Sequence, residues 1–422
     1  MPIKAILDTI EAHETRRLQT VNLVASENLL SPAARAVLSS DLTHRYCIPP
    51  VDQRPPAVWD YPNQAAVRSL EQLAEQLACQ ALNAEVADVR PLSGNNAAYI
   101  LIKALMQEGE AMASVPGSCG GHFATDEICR RDGVIRHDIV YDRSAGVIDV
   151  AATAALCESR QVKLLFLDAS MQSFPYPVKQ LRAALPPDVV IAYDASHTMG
   201  IIAGGGFQNP LLEGADLIQG STHKSLFGPQ KALFAYACQG NVYKAIHETV
   251  SPLFVSNSHP HHTAVLAVAL QETLDFGGPY ARQVVTNARA LAGALHASGA
   301  QIPFADQKFT DCHQFVWAVG PRDAAEQRWL ALEAAGLHVN MVRVPFQEGR
   351  FGFRIGTSEV TRRGMGPDQM ILLAELMTDI VLGKVREDAT TAHREAVGQL
   401  SVQFPDLFFG YQASGVPLGL PA

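Results

Sequence analysis

The chain has 422 residues, 48% of them hydrophobic and 18% charged, with a formal net charge of -9 at neutral pH. That length is too great for one small core and predicts two domains plus a terminal arm. The acidic balance argues against nucleic acid or an anionic membrane as partner, while leaving room for a local phosphate pocket. No apolar run approaches a membrane span. Seven cysteines scattered at 47, 79, 119, 129, 157, 238 and 312, with no C-x-x-C, fit the reduced thiols of a cytoplasmic protein better than a disulfide frame or a zinc site.

The opening "MPIKAILDTIEAHETRRLQ" is mixed in charge and lacks the apolar core of a signal peptide, so it reads as an amphipathic arm helix within an arm of residues 1–30. In "NQAAVRSLEQLAEQLACQALN", Val67, Leu70, Leu73, Leu77 and Ala81 recur at helical spacing and predict a buried face. "ADVRPLSGNNAAYILIKALM" reads as a short strand, a polar turn and an apolar helix. The runs "EAMASVP", "VKLLFLDAS", "DVVIAYDAS", "ADLIQGS" and "KALFAYA" read as buried strands, with "VKQLRAALP" among the crossover helices. Such alternation predicts an α/β fold with a mostly parallel sheet covered on both faces, over residues 31–276. "FGGPYARQVVTNARALAGALHASG" then predicts a long helix after a Gly-Gly-Pro break. "HQFVWAVG", "GLHVNMVRV" and "FGFRIGTSEV" predict the strands of a smaller α+β domain, residues 277–422. Its closing helices are "PDQMILLAELMTDIVLG" and the segment near Ala389 to Leu400.

Ligands of open α/β sheets sit at the carboxyl ends of the strands. Three such ends carry chemistry. Ser93, Gly94, Asn95 and Asn96 fall where a strand gives way to a helix, an arrangement that suits either an anion or a plain N-cap. Asp194 closes an otherwise apolar strand, with His197 three positions on, and suits an Asx turn or a carboxylate paired with a protonated ring nitrogen. In "GSTHKSLFGPQKA", Lys224 follows a strand among Ser221, Thr222 and His223, as a surface lysine or as a Schiff-base former. Pyridoxal phosphate needs all three together: an anion cradle, a carboxylate on its ring nitrogen and a lysine on its aldehyde.

With these residues in place, the chain resembles the serine hydroxymethyltransferases, through "VNLVASENLLSP", "LTHRY", "SGNNA", "GGHF", "DASHTMGIIAGG", "STHKSLFGP" and "FRIGTSEVTRRG". The resemblance implies a fold-type I, aspartate aminotransferase-like transferase working as a homodimer with shared active sites. It implies that Lys224 carries the cofactor, that Asp194 holds the pyridine nitrogen, that His197 faces the phenolic oxygen and that His122 stacks on the ring. Ser170 would lie beside the ring. Ser93, Gly94 and Asn95, with Ser221, His223, Ser256 and Asn257, would serve cofactor binding, although the family usually has serine where Asn95 stands. Arg354 and Ser26 would bind the substrate carboxylate, and Tyr46 and Tyr61 would enter from the partner subunit.

The departures matter as much. The family's Y-A-E-G-Y-P glutamate, which serves folate-dependent transfer, is Ile48 in "YCIPP", and isoleucine cannot move a proton. The stretch "VRVPFQEGRFG" is shorter than the family's folate-contacting loop, so tetrahydrofolate is not expected as a cosubstrate. A glycine pair becomes "SNSH", Ser256 to His259, and the arginine after Gly-Pro is Gln230, followed by Lys231. These features resemble the L-threonine transaldolases of specialised metabolism. Such enzymes cleave threonine to acetaldehyde and a glycine quinonoid, then add that carbanion to another aldehyde. The small-molecule partners are then an amino acid and an aldehyde. The β-hydroxyl base would be His122, Tyr61 or a water.

The rivals are a folate-dependent serine or α-methylserine hydroxymethyltransferase, a threonine aldolase, and an inactive binding module. The last is disfavoured by joint retention of Lys224, Asp194, His197, His122 and Arg354. "SHPHH" clusters His259, His261 and His262 without evident further ligands, so no metal site is expected. Cys119, beside "GGHF", reads as a buried inert thiol rather than a nucleophile. Trp59 and the run "PPVDQRPPAVWDYP" are expected to line the entrance from the partner subunit.

Overall fold

Buried apolar runs become the central strands of the computed structural model, which describes residues 2–47, 61–62, 64–383 and 387–421. Ile48 and Trp59 lie outside the described residues. Two compact units emerge. One comprises residues 29–281 with 409–418; the other comprises 1–28 with 282–408 and 419–422.

The first unit holds a seven-stranded sheet: β1 (Val86–Asp88), β2 (Ala111–Ser114), β3 (Ile135–Asp138), β4 (Val162–Leu167), β5 (Val190–Asp194), β6 (Leu217–Ser221) and β7 (Ala232–Tyr236). The spatial order is β1-β7-β6-β5-β4-β2-β3. All ladders from β6 to β3 are parallel, and β7 alone runs antiparallel to its neighbours. Every residue of β6 and β7 is buried, as helices on both faces require. Edge strand β3 was not among the predicted strands, because Arg136, His137 and Asp138 give it a polar sequence and it is only half covered.

The second unit packs a three-stranded antiparallel sheet of β8 (Gln314–Gly320), β9 (Asn340–Arg343) and β10 (Phe351–Gly356), in the order β8-β10-β9. Trp317, Phe315 and Phe353 share its core with Leu291, Leu373 and Met377 from helices. The predicted strand "GLHVNMVRV" is two pieces: Leu337–His338 pairs parallel with Val21–Asn22, while β9 pairs with β10. The helix Pro2–Leu18 forms, with none of its residues buried.

Two sequence expectations fail for identifiable reasons. No break occurs at Gly277-Gly278-Pro279; one helix runs from Pro260 to Ala297 with Pro279 inside it. The glycine there serves packing, since a Cβ on Gly277 would lie 3.0 Å from Thr273 Cγ2 and 3.2 Å from Gly204 Cα, while one on Gly204 would lie 2.2 Å from the Gly277 carbonyl oxygen. In the helix Ala65–Leu82, Leu73 is 45% exposed while Ala74 is buried. At about 100° per residue, Leu73 stands roughly 120° round the helix from Val67, off the buried stripe.

Candidate active site

The carboxyl ends of β4, β5 and β6 and the start of one helix meet on a single edge. Ser93 caps the helix Gly94–Leu105, accepting the N–H of Asn96 at 3.2 Å, while Asn96 Oδ1 accepts the N–H of Leu92 at 3.0 Å. Gly94 stands hard against β6: a Cβ there would come within 2.4 Å of Ser221 Oγ and 3.5 Å of Ser196 Oγ. Ser221 donates its N–H to Ser196 Oγ at 2.9 Å, and Ser196 donates its own to the Asp194 carboxylate at 2.7 Å. The β5 and β6 ends are thereby fastened together, with the helix start in close approach to them. One residue beyond Ser196 and three beyond Ser221, His197 Nε2 lies 3.4 Å from Lys224 Nζ. His197 is 4% exposed, and Lys224 is half-buried. His223 is largely buried, which pushes its ring down to about 4, and Lys224 beside it adds to the effect.

This arrangement fits pyridoxal phosphate. A lysine amine, a carboxylate and a serine-capped helix start share one edge, and a side chain at Gly94 would fill the space between the helix start and Ser221.

His122 caps the next helix, Phe123–Asp132, with Nδ1 accepting the Ala124 N–H at 3.3 Å. Its own N–H donates to the Asp168 carbonyl at 2.9 Å, and Ser170 donates its N–H to the Gly120 carbonyl at 2.9 Å, so His122 and Ser170 are held by one loop pair beyond β4. Asp168, 1% exposed, was missed in the sequence; its only signal is a carboxylate ending the apolar run "VKLLFL". Burial pushes its carboxyl up to about 7, with Asp194 adding to the rise. Cys119 is buried and its thiol is raised by burial, as befits an inert group.

Tyr46 and Tyr61 stack with ring centroids 4.8 Å apart, both exposed. The Ser256–His259 stretch reaches the same segment: the Asn257 amide donates to the Arg45 carbonyl at 3.2 Å and accepts the Cys47 N–H at 3.5 Å. Ser256 is exposed beside it. Beneath lies a second group missed as a structural element. Lys231, 1% exposed, donates from Nζ to the Ser258 carbonyl at 2.6 Å, and Ser258 Oγ donates to Glu71 at 2.8 Å. Burial pushes Lys231 down to about 7 and raises Glu71. His259, His261 and His262 cluster at ring separations of 4.3 to 6.1 Å, all with lowered pKa through burial. Among the described residues no group of three or more His, Cys, Asp or Glu is placed to hold a metal ion.

Ser26 and Arg354 belong to the other unit. Gly356, at the end of β10, admits the Ala25 backbone, since a Cβ on Gly356 would lie 2.4 Å from Ala25 Cα. The Ser26 segment therefore runs beside the strand that carries Arg354. Arg354 donates from its guanidinium to Asn340 Oδ1 at 2.9 Å, and burial pushes its pKa down to about 10.

Fold and site together define a pyridoxal-phosphate-dependent transferase. A solved structure of L-threonine transaldolase from Pseudomonas fluorescens in its internal aldimine state superposes with a TM-score of 0.93 at 27% identity, covering 98% of this chain and 94% of that one. Residues 3–377 match the family model for serine hydroxymethyltransferase, and the chain belongs to that family. The serine hydroxymethyltransferase of Methanopyrus kandleri is 35% identical over 98% of this chain and 96% of its own length. The fluorothreonine transaldolase of Streptantibioticus cattleyicolor is 36% identical over 90% of this chain and 60% of its own length. Pyridoxal 5′-phosphate is the cofactor. Among the described residues, no helix is long and apolar enough to cross a membrane.

Proposed function

We propose that the protein is an L-threonine transaldolase. It cleaves the Cα–Cβ bond of L-threonine, releases acetaldehyde, and joins the retained glycyl unit to a second aldehyde, forming a new β-hydroxy-α-amino acid. The observation that carries this reading is Ile48, an apolar residue where the family resemblance calls for the glutamate of folate-dependent transfer. Similarity to two transaldolases supports it, beside equal similarity to hydroxymethyltransferases.

Bound pyridoxal phosphate supplies an electron sink for the pair left on Cα when that bond breaks. Lys224 carries the cofactor and Asp194 keeps its ring nitrogen protonated. The first-turn N–H groups of Gly94 and Asn95, with Ser93, Ser221 and His223, hold its phosphate, joined by Ser256 and Asn257. His197 would hold its phenolic oxygen, and Ser170 would help to hold the ring. Arg354, aided by Ser26, fixes the substrate carboxylate through its bidentate fork. His122 would help to hold the ring from its loop. Because His122 Nδ1 accepts the Ala124 N–H, a neutral imidazole carries its proton on Nε2 and presents a donor there. That leaves Tyr61, or a water held near it, to take the β-hydroxyl proton. Tyr46 and Tyr61 serve the site of the partner protomer in a cytoplasmic homodimer.

The test is purified holoenzyme with L-threonine and no folate, with acetaldehyde followed by a coupled dehydrogenase. Acetaldehyde release that accelerates with an added aldehyde, accompanied by a new β-hydroxy amino acid, is expected. Turnover of serine only with tetrahydrofolate, and none of threonine, would return the protein to the hydroxymethyltransferases. Stoichiometric free glycine would make it a threonine aldolase.

A further inference from the structure

The loop that carries His122 leaves β2 at Val115 and enters a helix at Phe123. It is folded tightly on itself, for a Cβ on Gly121 would lie 2.0 Å from the Val115 carbonyl oxygen. One residue outside it fastens its entry, its last residue and the first turn of the helix that follows. Asp168 Oδ1 accepts the Val115 N–H at 2.9 Å. The Asp168 carbonyl accepts the His122 N–H at 2.9 Å. Asp168 Oδ2 accepts the Thr125 hydroxyl at 2.5 Å. Asp168 and Thr125 are both buried, so these bonds face no competition from water. The same segment continues into Ser170, whose N–H closes the pair on Gly120.

We infer that Asp168 is a positioning residue for the active site: it sets where the His122 ring sits. The inference rests on the reading of His122 as the residue that packs on the cofactor. A carboxylate suits this place because it offers two acceptor oxygens to two donors from opposite ends of one loop. Truncation leaves the Val115 N–H and the Thr125 hydroxyl buried without their acceptor. An asparagine keeps the shape: its carbonyl still accepts from Val115, and its amide donates to the Thr125 oxygen.

The experiment compares holoenzymes of Asp168→Ala, Asp168→Asn, Thr125→Val and His122→Ala. The readouts are hydrogen exchange over residues 115–125, the visible absorbance of the bound cofactor, and the split between kcat and KM. Asp168→Ala and Thr125→Val are expected to speed exchange over that loop. They should also move the absorbance in the direction His122→Ala moves it, and lower kcat on the order of ten- to a hundred-fold. Asp168→Asn should restore all three. Thr125→Val removes one bond only and serves if Asp168→Ala does not fold. Wild-type exchange and absorbance in both loop variants, with His122→Ala still altered, overturn the role of Asp168 alone. An unchanged spectrum and rate in His122→Ala overturn the reading of His122, and the inference with it.

Discussion

Two lysines seven positions apart on the connection from β6 to β7 have opposite surroundings. Lys224 is half-buried beside His197, whereas Lys231 is enclosed with its ammonium on the Ser258 carbonyl. Around Lys231 stand Glu71, Asp88, Arg90 and the histidines at 259, 261 and 262, yet burial dominates and lowers its pKa to about 7. Between pH 7 and about 10 the folded lysine is neutral while the unfolded one is charged. The unfolded state then binds more protons, and stability rises with pH. Lys231→Met removes that dependence. Its stability difference from the wild type should therefore change, in favour of the wild type, by on the order of a few kcal/mol across that window. Urea titrations at several pH values measure this, and a constant difference would contradict it. At Arg354, lysine keeps the charge but loses the fork, so Arg354→Lys is expected to raise KM for threonine on the order of ten- to a hundred-fold with a smaller effect on kcat. Steady-state kinetics decide it, and a fall in kcat at constant KM would contradict it.

At the scale of elements, the Lys224 loop is held by its close approach to the helix Met199–Ala203. A Cβ on Gly200 would lie 2.2 Å from the Ser225 carbonyl oxygen, and the Gly200 N–H donates to Ser225 Oγ at 3.0 Å. Gly200→Ala must push the loop away, at a cost of about 1–3 kcal/mol. It is expected to lower cofactor occupancy, read from the ratio of visible to protein absorbance; full occupancy with unchanged melting would contradict this. The buried strands were legible because each is a short, mostly apolar run, and Asp194 and Lys224 follow from their carboxyl ends. Less was legible where one element depends on a distant one. Gly277-Gly278-Pro279 looks like a break until the close packing of Gly204 against Gly277 is seen. Asp168 looks like part of a turn until Val115 and Thr125 are found bonded to it. Lys231 was visible only as the residue after Gln230, itself a departure from the family, with nothing local to announce its burial.

At the scale of the molecule, the proposal that Tyr61 serves the partner's site is tested by a mixing experiment. If Tyr61 serves the partner's site, inactive Lys224→Ala and impaired Tyr61→Phe proteins, unfolded and refolded together, should recover activity that neither has alone. Hybrid dimers then carry one site with both residues intact. No recovery, with dimers present by sedimentation, would confine each site to one protomer.

The central claim is that the cofactor sits on Lys224, at the edge where the helix start, Asp194 and His197 converge. Borohydride reduction of the holoenzyme fixes the cofactor to the lysine that carries it, and fragment-ion mass spectrometry then separates Lys224 from Lys231. A pyridoxyl group on Lys224 alone is the expected result. The group on Lys231 or on any other lysine would contradict the account.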